Sequence, residues 1–192
     1  MILALAVILG VGVGLARGGR LNGLSQVRVR GVVAIFLLFA AQTLIRQIGP
    51  LLGLVGSSAL VWLWCVLSVG LIVVCVINWG IRGIPLLALG VALNLLVVTL
   101  NAGMPVGGPL AASYDMNPTA NSVASHGGFY RGVDTQTVAV ALGDVIPIPA
   151  PRPLRAIVSF GDVLMLLGVA VLVEESVYGG RYRGRHSVSP SQ

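Results

Sequence analysis

The sequence predicts an all-α membrane protein, a bundle of about five transmembrane helices with a polar loop on its outward face. Two observations predict it. Hydrophobic residues make up 56% of the 192 residues and charged residues only 9%, against about 25% charged in a soluble domain. The apolar residues also fall in long runs, and mean hydropathy is +0.96. Too few charges remain to solvate an ordinary surface, so lipid must cover much of it.

The runs define the spans, each near the length that crosses a bilayer as a helix. The first is 2–16, with Gly10 and Gly14 as a small-xxx-small pair that allows close helix approach. It has no basic segment before it and no small-residue cleavage signature, so it reads as a retained helix rather than a signal peptide. The second is 32–48, apolar to Ala41 and then polar at Gln42, Thr43, Arg46 and Gln47. The third, 58–79, carries Trp62, Trp64 and Trp79 near its ends, where tryptophan anchors a helix in the interface. The fourth is 84–100 and the fifth 155–173. Cys65 and Cys75 share one helix about 15 Å apart, too far for a disulfide, and serve as small apolar residues.

Arginine sets the orientation. All twelve basic residues are Arg, and the net charge is +6. Arg17, Arg20, Arg28, Arg30, Arg82, Arg181, Arg183 and Arg185 fall on one side of a five-span chain; Arg46, Arg131, Arg152 and Arg155 fall on the other. The positive-inside rule then places the N-terminus outside and the C-terminus in the cytoplasm. The basic balance is thus explained by the membrane, and the chain carries no nucleic-acid recognition motif. Residues 101–154 form an outside loop, long enough to suggest a function. Within it Thr135–Ile148 is apolar again, too short to span, and reads as a re-entrant or interfacial segment. Pro147, Pro149, Pro151 and Pro153 force an extended connection to the last span. The stretch 178–192 is basic, rich in Gly and Ser, and reads as a disordered cytoplasmic tail.

Acidic residues number only six, and their placement is the strongest functional signal. Asp144 and Asp162 sit in similar settings, Leu142-Gly143-Asp144-Val145 and Phe160-Gly161-Asp162-Val163. An ionisable residue at a spanning helix is costly and so is a candidate functional group. If the chain reverses at the prolines, both carboxylates reach similar depth. Two such acids would share a proton, one acting as acid and one as base, as hydrolysis by an activated water requires. Gly143 and Gly161 would admit another backbone beside each acid. The alternative is structural: Asp162 paired with Arg155 across Ser159, and Asp144 holding a turn. Asn94 and Asn101, seven residues apart, share one face of the fourth span and suit bonds across helices or the lining of a site. Arg46 either snorkels to headgroups or neutralises an acid or an anionic lipid. His126 lies in the outside loop, exposed or hydrogen-bonded. No metal-ligand spacing accompanies it, so no metal or other cofactor is expected.

The sequence Asp144, a short linker, then Asp162 opening a final helix resembles lipoprotein signal peptidases, with Asn101-Ala102-Gly103 similar to their Asn-x-Gly element. Their Asn before the last catalytic Asp is replaced here by Phe160-Gly161. That resemblance implies an intramembrane aspartyl peptidase. Over its length the chain more closely resembles a group of small uncharacterised multi-pass bacterial membrane proteins, through Asn94, Asn101, Gly103-Met104-Pro105, His126, Leu142-Gly143-Asp144 and Ser159-x-Gly161-Asp162. That resemblance implies a bacterial inner-membrane location and no particular activity. The expected function is an outward-facing polar site around Asp144 and Asp162 that binds a lipid, a peptide or a membrane partner. The expected partners are membrane lipids and a membrane protein or lipid-linked substrate, with no nucleic acid. The alternative is an aspartyl hydrolase using both acids.

Overall fold

The computed structural model describes residues 2–26, 29–48, 58–116, 129–151 and 155–183. Helix accounts for 66% of the chain. The long helices are α1 (Ile2–Ala16), α2 (Val32–Ile48), α3 (Ser58–Ile77) and α4 (Ile84–Asn101). A short helix, α5 (Pro109–Ser113), lies in the connection that follows, and α6 (Phe160–Arg183) ends the described chain. Two helices, α3 and α4, are long and apolar enough to cross a membrane by length and composition. In α6 the uninterrupted apolar run between Asp162 and Glu174 is shorter, because acids stand at both ends. The helix continues beyond Val177, where the sequence suggested an unstructured tail, as far as Arg183.

The helices alternate in direction, and glycine sets how closely they pack. In α1, Gly10 faces Ala170 and Val173, and Gly14 faces Val177 and Glu174. The register rises in both chains, so α1 and α6 run parallel. The small-xxx-small pair therefore does what its spacing predicts. On the other side of α6, Gly161 lies against Gly90 and Gly168 against Gly83. Here one register rises as the other falls, so α4 and α6 are antiparallel. These four glycines are seven residues apart on each helix, two turns, and bring the two backbones together twice on one face. Helix α2 runs antiparallel to α3, with Gly70 against Leu38 and the Gln42 amide donating to Ser68 Oγ at 3.0 Å.

Each helix keeps an apolar face uncovered. On α3 the exposed residues Trp62, Val66, Val69, Val73 and Val76 form one stripe at helical spacing. Ile8, Leu9 and Val13 on α1, and Leu89, Leu96 and Leu100 on α4, are exposed as well. The inward faces form two clusters. Leu71, Cys75, Ile84, Leu87, Ala88 and Val91 fill one at the α3–α4 turn, and Val61, Trp64, Cys65, Val97, Val98, Met104 and Phe129 fill the other. Trp64 differs from the anchor role expected of it. It is 7% exposed and meets the Phe129 ring at 5.2 Å between centroids. Trp62 and Trp79 remain exposed.

The two ends of the bundle differ in chemistry. At the α3–α4 turn, Arg17 pairs with Glu174 and stacks over Tyr178, and Arg82 pairs with Glu175 at 3.1 Å. Asn78 ties the start of α2 to the same end, accepting from Arg30 N and donating to Arg30 O. The opposite end carries a cap with strand structure that an all-α reading did not foresee. Strand β1 (Met104–Val106) pairs in parallel with β2 (Tyr130–Gly132), and β3 (Ile146–Ile148) pairs antiparallel with β4 (Ala156–Val158). A bridge between Val106 and Asp144 joins the two small sheets. Residues 135–148 form no α-helix. They make a turn, a 3-10 turn (Val140–Leu142) and β3. The prolines do reverse the chain, since Pro147 in β3 lies opposite Ile157 in β4. An edge strand tolerates proline because one side of its ladder is unused.

Candidate functional site

Asp162 is the third residue of α6, and its surroundings follow from that position. A helix begins with backbone N–H groups that lack intrahelical acceptors. Ser159 stands just before α6, and its Oγ accepts from Asp162 N at 2.8 Å. Asp162 Oδ2 in turn accepts from Ser159 N at 3.3 Å. This reciprocal pair is a capping box, and a carboxylate there also suits the positive end of the helix dipole. The second oxygen, Oδ1, accepts from Asn94 Nδ2 at 2.8 Å. Ser159 Oγ then donates to Asn94 Oδ1 at 2.8 Å, closing a three-residue ring of hydrogen bonds. Ser159 is fully buried and Asn94 is 5% exposed. Asn94 can reach this ring only because Gly161 has no side chain: a Cβ there would lie 2.7 Å from Asn94 Cγ.

Arg155 takes no part in this ring. Its Nη2 donates to the carbonyls of Tyr114 at 3.0 Å and Asp115 at 2.9 Å, tying the start of β4 to the chain after α5. The expected Arg155–Asp162 pair is therefore replaced by the capping box. The guanidinium instead satisfies carbonyls at a turn where Asp115 has positive φ.

Asp144 lies at the centre of the cap and is 7% exposed. Its N–H donates to Pro105 O at 2.8 Å and its carbonyl accepts from Gly107 N at 3.0 Å. Gly143 plays the part beside it that Gly161 plays beside Asp162, because a Cβ at 143 would meet Pro105 O at 2.7 Å. The two Gly-Asp steps thus share a packing logic. At each, the absent side chain admits a neighbouring backbone of this same chain.

Asn101 ends α4 one face-repeat beyond Asn94. Its Nδ2 donates to Val97 O at 2.8 Å and Val138 O at 2.9 Å, and its Oδ1 accepts from Val138 N at 2.8 Å. One amide thereby fixes the loop ahead of Asp144 to the helix end. Asn101→Ala is expected to cost about 1 kcal/mol per bond lost and to raise hydrogen exchange at Val138 selectively, with the exchange of α3 amides unchanged. His126 lies outside the described residues, and Arg46 is placed only as a backbone position in α2. Among the described residues no group of His, Cys, Asp and Glu could hold a metal ion.

Residues 26–174 match the Family of unknown function (DUF5317). The chain belongs to this family. The match spans α2 through most of α6, and so includes every residue of the ring and of the cap. No curated protein and no solved structure matches the chain. The comparisons give no support to the likeness to signal peptidases. In this DUF5317 protein the Asp162 that opens the last helix closes a helix cap with Ser159.

Two groups escaped the sequence reading. The capping box had a direct signal, Ser-x-x-Asp before an apolar run. Arg131 and Asp134 in the cap had a weaker one, the Asp134-Thr-Gln-Thr137 sequence of a side-chain-bonded turn. Hydrogen bonds from Thr137 Oγ1 and Gln136 N, both at 2.9 Å, hold the Asp134 carboxyl below its ordinary pKa of 3.8, with a smaller contribution from the charge of Arg131.

Proposed function

We propose that this chain is a bacterial inner-membrane protein crossing the membrane five times, N-terminus outside and C-terminus cytoplasmic. Its outward cap binds a lipid, a peptide or a membrane-protein partner. The alternating helix directions support the topology, since α1 and α6 run together and against α4, as first, last and fourth spans must. The exposed apolar stripes on α1, α3 and α4 suit lipid contact. The arginines at the α3–α4 end fit a cytoplasmic face, where ion pairs offset Glu174 and Glu175.

The observation that favours binding over hydrolysis is the engagement of Asp162. Both of its oxygens accept hydrogen bonds, from Asn94 and from Ser159 N, within one closed ring. Those bonds give the carboxylate a holding role between α4 and α6, and water activation with Asp144 would be left to the lone pairs they do not use.

Thiol labelling of intact cells tests the topology. With Cys65 and Cys75 replaced by alanine, cysteines introduced at Ser113 and Gln136 should react with a membrane-impermeant maleimide. Cysteines at Arg20 and Arg82 should react only after the membrane is opened. Labelling of all four positions on intact cells, or the reverse assignment, would sink the five-span orientation.

A further inference from the structure

A cavity of about 260 Å³ opens in the cap at the end of α4, lined by Leu100, Asn101, Arg131, Asp134, Gln136 and Thr137 among others. Two opposite charges line it, both exposed: Arg131 in β2 and Asp134 in the turn that follows. Arg131 Nε donates to Ala102 O at 3.1 Å, and the side chain lies across Gly103, where a Cβ would come within 3.2 Å of Arg131 Cγ. That bond caps the end of α4 and uses one of five guanidinium N–H donors. The Nη groups have no acceptor among the described residues. Asp134 Oδ1 is taken by Gln136 N and Thr137 Oγ1, while Oδ2 has no hydrogen-bond donor among the described residues. The two charges share the cavity without forming an ion pair. Here the helix-end carbonyl holds one and the turn holds the other.

Opposite charges that line one small, open pocket without pairing suit a zwitterion. A guanidinium fork recognises phosphate or carboxylate, and a carboxylate oxygen accepts from an ammonium. The size suits a headgroup, being below the roughly 300–1,000 Å³ of drug-sized pockets. The apolar part of the rim points to the source. Leu100 is the last residue of the exposed stripe Leu89, Leu96, Leu100 on α4, so an acyl chain lying along that stripe would bring its headgroup to the opening. We propose that this cavity binds phosphoethanolamine chemistry, its phosphate on Arg131 and its ammonium on Asp134, either free or as the headgroup of a membrane lipid. The proposal rests on reading the cap as the binding face.

The test uses the full chain in nanodiscs of equal phosphatidylethanolamine and phosphatidylglycerol, with retained lipids counted by native mass spectrometry. O-phosphoethanolamine is titrated separately against the protein in detergent. Enrichment of phosphatidylethanolamine in the wild type is expected, and Arg131→Gln should weaken the binding of O-phosphoethanolamine at least tenfold. Asp134→Asn keeps the Oδ1 acceptor and so the turn, and should bring the preference between the two lipids close to one. Binding of free O-phosphoethanolamine with the same dependence on Arg131 and Asp134, but without lipid enrichment, would keep the site and assign it a soluble ligand. No binding of either probe, or binding indifferent to both substitutions in variants whose thermal unfolding matches the wild type, overturns the proposal. Because thiol labelling reports topology separately, a cap labelled from outside that binds neither probe sinks this inference alone.

Discussion

Replacing Gly161 with alanine is expected to destabilise the protein by about 1–3 kcal/mol, the usual cost of overpacking a filled interface. The new methyl would meet Gly90 O at 2.6 Å and Asn94 Cγ at 2.7 Å. Backbone cannot yield as a flexible side-chain end can, so α4 and α6 must move apart. Gly90→Ala attacks the same crossing from the other side, with Met165 Cγ at 2.7 Å and Met165 N at 2.9 Å from the added carbon. Because the two glycines face each other, the double substitution should cost less than the sum, the first having already separated the helices. Gly12→Ala is the control. It sits in the middle of α1 with nothing within 4 Å of an added Cβ, so alanine's better helix propensity should leave stability unchanged or raise it by up to about 1 kcal/mol. Thermal unfolding in detergent measures all four variants. Equal effects at Gly12 and Gly161 would show that the crossing does not depend on glycine.

The long apolar runs made four of the helices legible almost to the residue, because periodic burial is not needed to find a segment apolar on every face. Helix α4 ends at Asn101 where the polar, Gly-rich stretch begins, and α2 keeps its expected bounds although polar residues fill its last turn. The last helix was harder. Residues 156–158 are as apolar as the helix they precede, and pairing with β3 rather than composition makes them a strand. A three-residue strand has no sequence period to detect. The cap was hidden for a related reason: its order comes from long-range contacts such as Phe129 against Trp64, and a loop read alone cannot reveal what it docks on.

The residues that the sequence singled out are grouped differently in the fold. Asn94, Ser159 and Asp162 do meet, and Asn101 does organise the outer loop of the cap. Arg155 was assigned to Asp162 by charge and helical spacing, yet it precedes the helix, so the helical repeat does not apply to it. The glycines were the clearest missed signal. A seven-residue spacing of Gly83 with Gly90 and of Gly161 with Gly168 is visible in the chain, but it gains meaning only when the two helices are known to be antiparallel.

Exchanging the amide and the acid between positions 94 and 162 is expected to preserve the fold while each single change damages it. In Asp162→Asn the side chain offers one acceptor where Asn94 Nδ2 and Ser159 N both need one. One buried donor is then left facing another, at a cost of about 1–3 kcal/mol. In Asn94→Asp an acceptor replaces the Nδ2 donor, so two carboxylates face each other where one hydrogen bond was, and stability should fall by at least as much. In the double variant every bond can be redrawn. The acid at 94 accepts from Ser159 Oγ and from the new amide at 162, whose oxygen accepts from Ser159 N. Stability should return to within about 1 kcal/mol of the wild type, a coupling read directly from a double-mutant cycle. The same cycle separates the two readings of Asp162. A carboxylate required at 162 for chemistry is not replaced by one at 94, so a variant restored in stability but not in cellular function would reinstate the hydrolase. Recovery of both would assign Asp162 to holding α4 and α6 together beneath the cap.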